Sequence, residues 1–350
     1  MFSQLTISAI ALSLLALSSC TNAGVIDKRQ IAQPIMNGIN FPDPSVIRVT
    51  SGWHLFSTNA WSTPSNGSVP APQVQPAGSK LIHVQRAFTS DWKTFTYLPG
   101  VDALPSLPSW AIAVNPRVWA PDVVRLDDGT FVMYYSVAMK NFPRKHCLSY
   151  ATAKTITEPF VDNSTAPFIC PDPMTQGGAI DVAGYTDETR TGSRYIVYKV
   201  DGNAIGHGGN CGNTVAPIVP TPIMLQQVGP DGVTLIGSPV QILTNIPSDG
   251  PYVEAPALTY MNGRYVLFFS SKCYTTPGYD VQYAIADRIT GPYVRSGTLF
   301  ATGVQGMVAP GSMDVAINGE RAIWHGNFGG GRAAYVASLK LENGVVTATF

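Results

Sequence analysis

The chain has 350 residues, of which 45% are hydrophobic and only 13% are charged, and it contains 33 glycines and 28 prolines. This composition favours many short strands joined by tight turns over long helices with salt-bridged faces. The 22 basic and 22 acidic residues give a formal net charge of zero. Because the sequence contains no basic stripe, we expect neither nucleic acid nor an anionic membrane surface as a partner.

The N-terminal residues indicate export. Leu5 to Leu17 form an apolar run too short to span a bilayer, and small residues up to Ala23 fit a cleavage site there. Lys28-Arg29 is typical of a dibasic propeptide site. We therefore expect a signal peptide over 1–23, a propeptide over 24–29 and a secreted, extracellular protein. Leu17-Ser18-Ser19-Cys20 also resembles a bacterial lipoprotein box, but the dibasic pair favours the eukaryotic interpretation.

Four cysteines remain once the signal segment is removed: Cys147, Cys170, Cys211 and Cys273. An even number in a secreted chain predicts two disulfides, with three connectivities open. Proximity along the chain favours Cys147–Cys170 and Cys211–Cys273. Asn66 and Asn163 begin glycosylation sequons, which predicts a surface loop at each.

A pattern recurs five times after residue 30: an acidic residue, an apolar run, a tight turn and an aromatic-rich run. The five acidic residues are Asp43, Asp122, Asp181, Glu254 and Asp314. In the fourth unit, Asn262-Gly263 separates two apolar runs, which is the strongest short-range signal for a β-hairpin. Pro256 in the same unit predicts an extended backbone at Ala255.

The second runs begin at about Trp53, Phe131, Tyr195, Tyr265 and Ala322. These intervals leave room for further strands, such as those expected at 146–153 and 281–286. Four strands per unit in radial repetition are typical of propeller blades. The sequence therefore predicts an all-β, five-bladed β-propeller as a single domain over 30–350. A β-sandwich with chance hairpins is the alternative, and the shared acidic residue argues against it.

The first strand of each blade lines the axis of a propeller, so acidic residues at equivalent positions would converge there. Like charges repel each other, and a ring of them is usually found where a metal is bound or acid–base chemistry takes place. The repeated acidic residues therefore predict one functional pocket on the axis.

Four of these stretches resemble the ordered motifs of glycoside hydrolase family 43. They are Asp43-Pro44, Trp119-Ala120-Pro121-Asp122, Ala179-Ile180-Asp181 and Glu254-Ala255-Pro256. The resemblance covers Asn37 to about Arg332. It implies a hydrolase that cleaves α-L-arabinofuranosyl (arabinan) or β-xylosyl linkages of plant cell-wall polysaccharides with inversion. The stretches 253–256 and 267–273 are more similar to arabinan-active members.

The resemblance also implies three catalytic residues. Asp43 matches the general base that activates water, and Glu254 matches the general acid that protonates the leaving oxygen. Asp181 matches a third carboxylate that, when ionised, keeps the acid protonated and orients the sugar. Inversion needs the base and the acid roughly 6.5–9.5 Å apart, to leave space for water. Taken singly, each could be an ordinary turn or strand residue; Asp122 and Asp314 are interpreted as structural.

Two further positions are candidates for binding. Trp119 is predicted to stack on sugar, with Trp61 as a second candidate, although core packing is the commoner use of tryptophan. His325 resembles the axial histidine that helps hold calcium or another ion in arabinan-cleaving members; a channel histidine bonded to water is the alternative. The mechanism requires no cofactor. Val182 and Ser312 depart from the family pattern, so the sequence does not determine whether an ion is bound or which sugar is preferred.

Two alternative functions belong to other classes. One is a related propeller that cleaves fructosides with retention, but residues 41–45 lack the Asn-Asp-Pro-Asn motif of that group. The other is a carbohydrate-binding propeller that has lost catalysis, which the presence of all three carboxylates argues against. We expect a monomer acting on a polysaccharide or oligosaccharide. Whether cleavage is endo or exo depends on loops such as 62–79 and 157–177.

Overall fold

The computed structural model describes residues 31–58, 82–188, 190–316 and 319–350. The predicted signal peptide and propeptide lie outside these ranges, as do Trp61, the sequon at Asn66 and the loop 62–79. Residues 31–350 form one compact unit.

The described residues form five antiparallel sheets, which are the blades of a propeller. Blade 1 contains β1 (Ser45–Val49), β2 (Gly52–Thr58), β3 (Val84–Thr89) and β4 (Thr96–Tyr97); blade 2 contains β5 (Trp119–Arg125), β6 (Phe131–Ala138) and β7 (His146–Ala153). Blade 3 contains β8 (Ala179–Thr186), β9 (Arg194–Val200), β10 (Ile223–Val228) and β11 (Leu235–Leu243). Blade 4 contains β12 (Val253–Met261), β13 (Arg264–Ser271), β14 (Asp280–Ala286) and β15 (Val294–Phe300); blade 5 contains β16 (Gly311–Val315), β17 (Arg321–Phe328), β18 (Gly331–Glu342) and β19 (Val345–Thr349).

The predicted five-bladed propeller is therefore confirmed, with one correction to its strand count. Blade 2 has three strands instead of four, and two isolated bridges, Thr152 with Val161 and Leu148 with Ile169, take the place of an outer strand. The helices of the described chain are short 3₁₀ turns: Met36–Gly38, Gly202–Ile205, Asn210–Gly212, Pro247–Asp249 and Val304–Gly306. None of the described helices is long and apolar enough to span a membrane.

Alternation along the second strand of each blade explains how the blades pack. On β6, Met133 and Tyr135 belong to a buried cluster shared with blade 1, whereas Val132 and Tyr134 belong to one shared with blade 3. Because successive side chains of a strand point to opposite faces, an all-apolar strand contacts both neighbouring blades. The same alternation between the other blades gives five apolar interfaces around the ring.

The N-terminal segment helps to close the ring. Asn40 forms a β-bridge with Ala333, and the N–H of Phe41 donates to the carbonyl of Arg332 at 2.8 Å. The segment thus pairs with a part of β18 that β19 does not cover. The first and last parts of the described chain are held together by backbone hydrogen bonds before blade 1 begins.

A bulge interrupts the first strand of blades 2 to 5 near its start, and the equivalent residue of blade 1, Asp43, lies two positions before β1. The residue at this position of each blade has a left-handed backbone, with φ between 44° and 56°: Asp43, Ala120, Asp181, Ala255 and Ser312. In blades 2 to 5 the pairing register shifts across this residue, as a bulge requires. The extended geometry predicted for Ala255 from Pro256 is therefore wrong, because the bulge imposes φ 48° there.

The acidic residues of the repeat do not occupy equivalent positions, which corrects the sequence prediction. Asp43 and Asp181 are bulge residues, Glu254 precedes one, and Asp122 and Asp314 follow one by two positions. The backbone turns at the bulge, so the side chains of successive residues point in different directions there. An acidic side chain can therefore lie near the axis from the bulge position itself or from a position before or after it. Single-sequence alignment of the repeats could not reveal this offset.

The carboxylates of Asp122 and Asp314 connect neighbouring blades. Asp122 Oδ2 accepts the N–H of Gly184 in blade 3 at 2.6 Å, and Asp314 Oδ2 accepts the N–H of Val46 in blade 1 at 2.8 Å. These contacts fit the structural roles predicted for both residues. The pairing of the cysteines also follows the favoured prediction, as Cys147–Cys170 and Cys211–Cys273.

The N–H of each bulge residue faces the preceding blade. That of Ala120 donates to Thr58 Oγ1 at 2.8 Å, and Thr58 is buried at the end of β2. Thr58→Val keeps the shape of the side chain but leaves this N–H without its acceptor. We expect a loss of about 1–3 kcal/mol in the free energy of unfolding, measured by urea denaturation.

Thr347→Val is the matched control, because Thr347 is exposed on β19. Its effect should stay within about 0.5 kcal/mol. Equal stabilities for the two variants would contradict a structural role for the bulge hydrogen bond.

Candidate active site

A cavity lies on the axis at the end where the first strands begin. Each blade contributes the bulge residue and the two residues after it: 43–45, 120–122, 181–183, 255–257 and 312–314. The five repeats, which are far apart in sequence, thus line one pocket. Two of the three predicted catalytic carboxylates, Asp43 and Asp181, line it directly, and Glu254 immediately precedes its lining segment in blade 4.

Asp43 lies between two basic side chains. Its Oδ1 is 3.2 Å from Arg332 Nη1 and 3.3 Å from His325 Nδ1. Burial alone would raise the pKa of Asp43, but the charge of Arg332 and a hydrogen bond from Thr58 outweigh it and hold that pKa well below its usual value. Asp43 is therefore ionised, which is the state required to accept a proton from water.

His325 supports Asp43 from blade 5. Its Nδ1 accepts the backbone N–H of Asp43 at 3.1 Å, and its ring is stacked on Tyr279 with centroids 5.9 Å apart. Burial and the nearby charge of Arg332 lower the pKa of His325. The ring is therefore neutral, as an accepting Nδ1 requires.

Glu254 is held at both of its carboxyl oxygens. Lys199 Nζ lies 3.0 Å from Oε2, and the hydroxyl of Tyr279 donates to Oε1 at 2.8 Å. The residue is buried, with 8% of its surface exposed. Such contacts fix the carboxyl group in one orientation beside the axial cavity.

Asp181 lies close enough to Glu254 for their charges to interact. Burial and the charge of Glu254 raise the pKa of Asp181 well above its usual value, although Lys199 opposes this. Its Oδ2 accepts the N–H of Ala255 at 3.0 Å. Asp181 therefore retains a proton to higher pH than an exposed aspartate does. Burial, which the motif does not reveal, is the first cause of this shift. The role of Asp181 in tuning the acid stays a prediction.

The ring of Trp119 stacks on His146, with centroids 3.8 Å apart and an interplanar angle of 24°. One of its faces is thus covered by protein, which leaves only the other for a sugar. Its role in substrate binding stays a prediction.

The residues around His325 do not form a cage for calcium. Nδ1 is already occupied by the N–H of Asp43, so only Nε2 could serve as a ligand. Within the ranges that the structure describes, no three His, Cys, Asp or Glu side chains are grouped so as to hold a metal ion. Calcium takes six to eight oxygen ligands, which would then have to come mostly from water. The ion at His325 stays a prediction.

Sequence reasoning missed Arg332, Lys199 and Tyr279. A signal was present for Lys199, because it is a lone charge in the otherwise apolar and aromatic run 195–200. Arg332 follows three consecutive glycines and carries no comparable pattern, and Tyr279 lies in an ordinary loop.

A five-bladed propeller with carboxyl groups collected at one end of its axis defines a class of carbohydrate-cleaving enzymes by fold and site together. The family model of glycosyl hydrolases family 43 matches residues 31–303. The chain belongs to this family, which confirms the resemblance seen in the motifs.

Curated relatives and solved structures agree with this assignment. The extracellular endo-α-(1→5)-L-arabinanase of Thermotoga petrophila is 29% identical over 37% of this chain, and the match spans only 24% of that protein. The extracellular endo-α-(1→5)-L-arabinanase 1 of Bacillus subtilis is 23% identical over 81% of this chain and 79% of its own length. A crystal structure of a thermostable family-43 glycoside hydrolase is similar with a TM-score of 0.69 and 20% identity, covering 91% of this chain and 96% of the other.

The two nitrogens of His325 allow its two proposed tasks to be separated. In His325→Asn the amide oxygen can replace Nδ1 as the acceptor for Asp43, whereas His325→Gln places a polar atom near the position of Nε2 instead. If the hydrogen bond to Asp43 is the main task, the Asn variant should retain more activity than the Gln or Ala variants. Turnover of an aryl glycoside with a good leaving group measures this, because it depends little on the general acid.

If His325 instead holds an ion through Nε2, His325→Gln should retain more activity than His325→Asn. Addition of a chelator should then also lower the activity of the wild-type enzyme. That result would show that ion binding is the principal role of His325.

Proposed function

We propose that the protein is a secreted glycoside hydrolase that cleaves α-L-arabinofuranosyl linkages of arabinan with inversion, with Asp43 as base and Glu254 as acid. The observation that carries the proposal is the pair of differently held carboxyl groups at one cavity. The charge of Arg332 keeps Asp43 ionised, while Glu254 is hydrogen-bonded at both of its carboxyl oxygens. The two relatives named as extracellular arabinanases support both the substrate and the secretion.

Each residue then has a defined task. Asp43 accepts a proton from a water molecule as the oxygen of that water attacks the anomeric carbon. The glycosidic C–O bond breaks on the opposite face, and the leaving oxygen takes the proton of Glu254. A single displacement of this kind inverts the anomeric configuration. Asp181 anchors the backbone next to Glu254 through the N–H of Ala255.

Cleavage of β-xylosyl linkages is the second candidate, since the family resemblance includes xylose-releasing members. The two disulfides are in keeping with an oxidising, extracellular environment. We also propose that the enzyme works as a monomer on polysaccharide or oligosaccharide. The displacement needs no cofactor, and an ion at His325 would have a structural role only.

Asp43→Asn and Glu254→Gln should produce different defects. Loss of the base removes water activation, so Asp43→Asn should be inactive on every substrate. Loss of the acid matters less when the leaving group is stable as an anion. Glu254→Gln should therefore be inactive on arabinan but partly active on a dinitrophenyl arabinofuranoside.

NMR of the first product anomer completes this test. Near-normal turnover by Asp43→Asn would contradict the assignment of the base. A product that retains its configuration would favour the fructosidase-like alternative, and a wild-type protein that binds without any turnover would favour a binding propeller.

The substrate is identified by incubating the enzyme with linear arabinan, debranched arabinan and xylan. We expect arabinose or arabino-oligosaccharides from the two arabinans and little release from xylan. A ladder of oligosaccharides from linear arabinan would indicate endo cleavage, whereas a single small product would indicate exo cleavage. Release from xylan alone would show that the arabinan proposal is wrong.

A further inference from the structure

Lys199 occupies a position that the ring of blades otherwise uses for a hydrogen-bond acceptor. The second strand of every blade has one buried residue paired with the residue just before the bulge: Thr58, Ser136, Lys199, Ser270 and His325. In four of the five blades it accepts the N–H of the next bulge residue, at 2.8 to 3.1 Å. Only blade 3 has a cation there.

An ammonium group has three donors and no acceptor, so Lys199 cannot receive the N–H of Ala255. That N–H donates to Asp181 Oδ2 instead. A serine or threonine would satisfy the fold at this position, as it does in blades 1, 2 and 4. Burial of a charge is costly unless the charge is paired. The groups that pair with Lys199 therefore indicate which role its charge has.

Those partners are two carboxylates and one aromatic ring. Lys199 Nζ lies 3.0 Å from Glu254 Oε2, 3.1 Å from Asp201 Oδ1 and 4.2 Å from the ring centroid of Tyr252. Burial alone would lower the pKa of Lys199, but the two carboxylates outweigh it and raise the pKa above its usual value. Lys199 is fully buried, and its raised pKa keeps it charged at neutral pH.

We infer that Lys199 is a positioning residue for the general acid: it fixes Oε2 of Glu254 and leaves Oε1 to carry the catalytic proton. This inference rests on the proposed function. Oε1 faces the hydroxyl of Tyr279, which can donate to a carboxylate and accept from a carboxylic acid. As the glycosidic C–O bond breaks, the proton passes from Oε1 to the leaving oxygen. The new carboxylate keeps Lys199 as its counter-ion, and the ammonium retains its own protons.

Several other titratable groups interact with Glu254 or with its partners: Asp181, Asp201, Tyr252, Tyr274 and Tyr279. Asp43 also acts on Asp181, Arg332 on Tyr274 and Lys145 on Asp201, but within the described residues Lys199 is the only cation in ion-pair contact with Glu254. Burial raises the pKa of each of the three tyrosines, which stay neutral. Lys199 is thus the cation that opposes the raised pKa of Asp181 and forms an ion pair with Glu254.

The test is Lys199→Met, which has a similar length and no charge. On arabinan, where the leaving group needs the acid, we expect kcat to fall about 10- to 100-fold, which is part of the usual contribution of a general acid. A dinitrophenyl arabinofuranoside should be affected much less. The alkaline limb of the pH–rate profile should move to higher pH, because the carboxyl pair loses its cation and holds its proton longer.

A second variant covers the case in which Lys199→Met does not fold. Asp201→Asn keeps the ammonium but removes the carboxylate that competes with Glu254 for an ion pair with Lys199. The alkaline limb should then move to lower pH. Asp181→Asn should move it in the same direction, since the remaining acid loses a negative neighbour. Lys199→Arg retains the charge and should leave the limb nearer to its wild-type position than the Met variant does.

Arg295→Met is the matched control for loss of a buried ion pair. Arg295 lies on the outer strand β15 and bonds the buried Asp249 at 2.7 Å. This variant should lower the melting temperature without a shift of the alkaline limb. If Lys199→Met slows both substrates equally and leaves the limb in place, as a purely structural residue would, the inference is wrong. Full activity of Glu254→Gln on arabinan would instead overturn the proposed function itself.

Discussion

The N–H group at the centre of each bulge is the constraint on which the architecture depends. A left-handed residue in the first strand turns its N–H away from the ladder of its own sheet, and a buried N–H must find an acceptor. In four cases a side chain of the preceding blade supplies the acceptor. The hydrogen bond that shapes the axial end of a blade therefore also joins that blade to its neighbour. The cavity and the ring closure are therefore two results of one repeated contact.

Much of the fold could be predicted from sequence because its determinants are local. Alternating apolar runs and Asn262-Gly263 predict the hairpin of blade 4, and the structure gives φ of 44° and 82° at those residues, as the predicted turn type needs. The missing fourth strand of blade 2 could not be predicted, because the interval between repeats shows only that there is room for a strand. The motifs named three carboxylates, and the structure brings all three to one end of the axis.

The neighbours of those carboxylates could not be found in the same way. Arg332 and Asp43 are 289 residues apart, and their contact depends on closure of the ring between the last blade and the first. Ala255 shows that a local rule can also fail. A residue before proline is expected to be extended, but the bulge gives Ala255 a left-handed backbone. The state of Asp181 depends on burial, which is a property of the assembled cavity and not of a motif.

Acid and base roles require two carboxyl groups with different affinities for a proton, although they share one cavity. Each of the two carboxyl groups contacts a cation, but the surroundings of the two cations differ. Asp43 contacts Arg332, whose charge stabilises its ionised form, and its backbone N–H donates to His325. Glu254 shares Lys199 with Asp201 and has Asp181 beside it, so the carboxylates on that side outnumber the cation. Three carboxylates around one ammonium cannot all be ionised at low cost, and a proton is therefore retained on the side of the cavity where the leaving group must receive one.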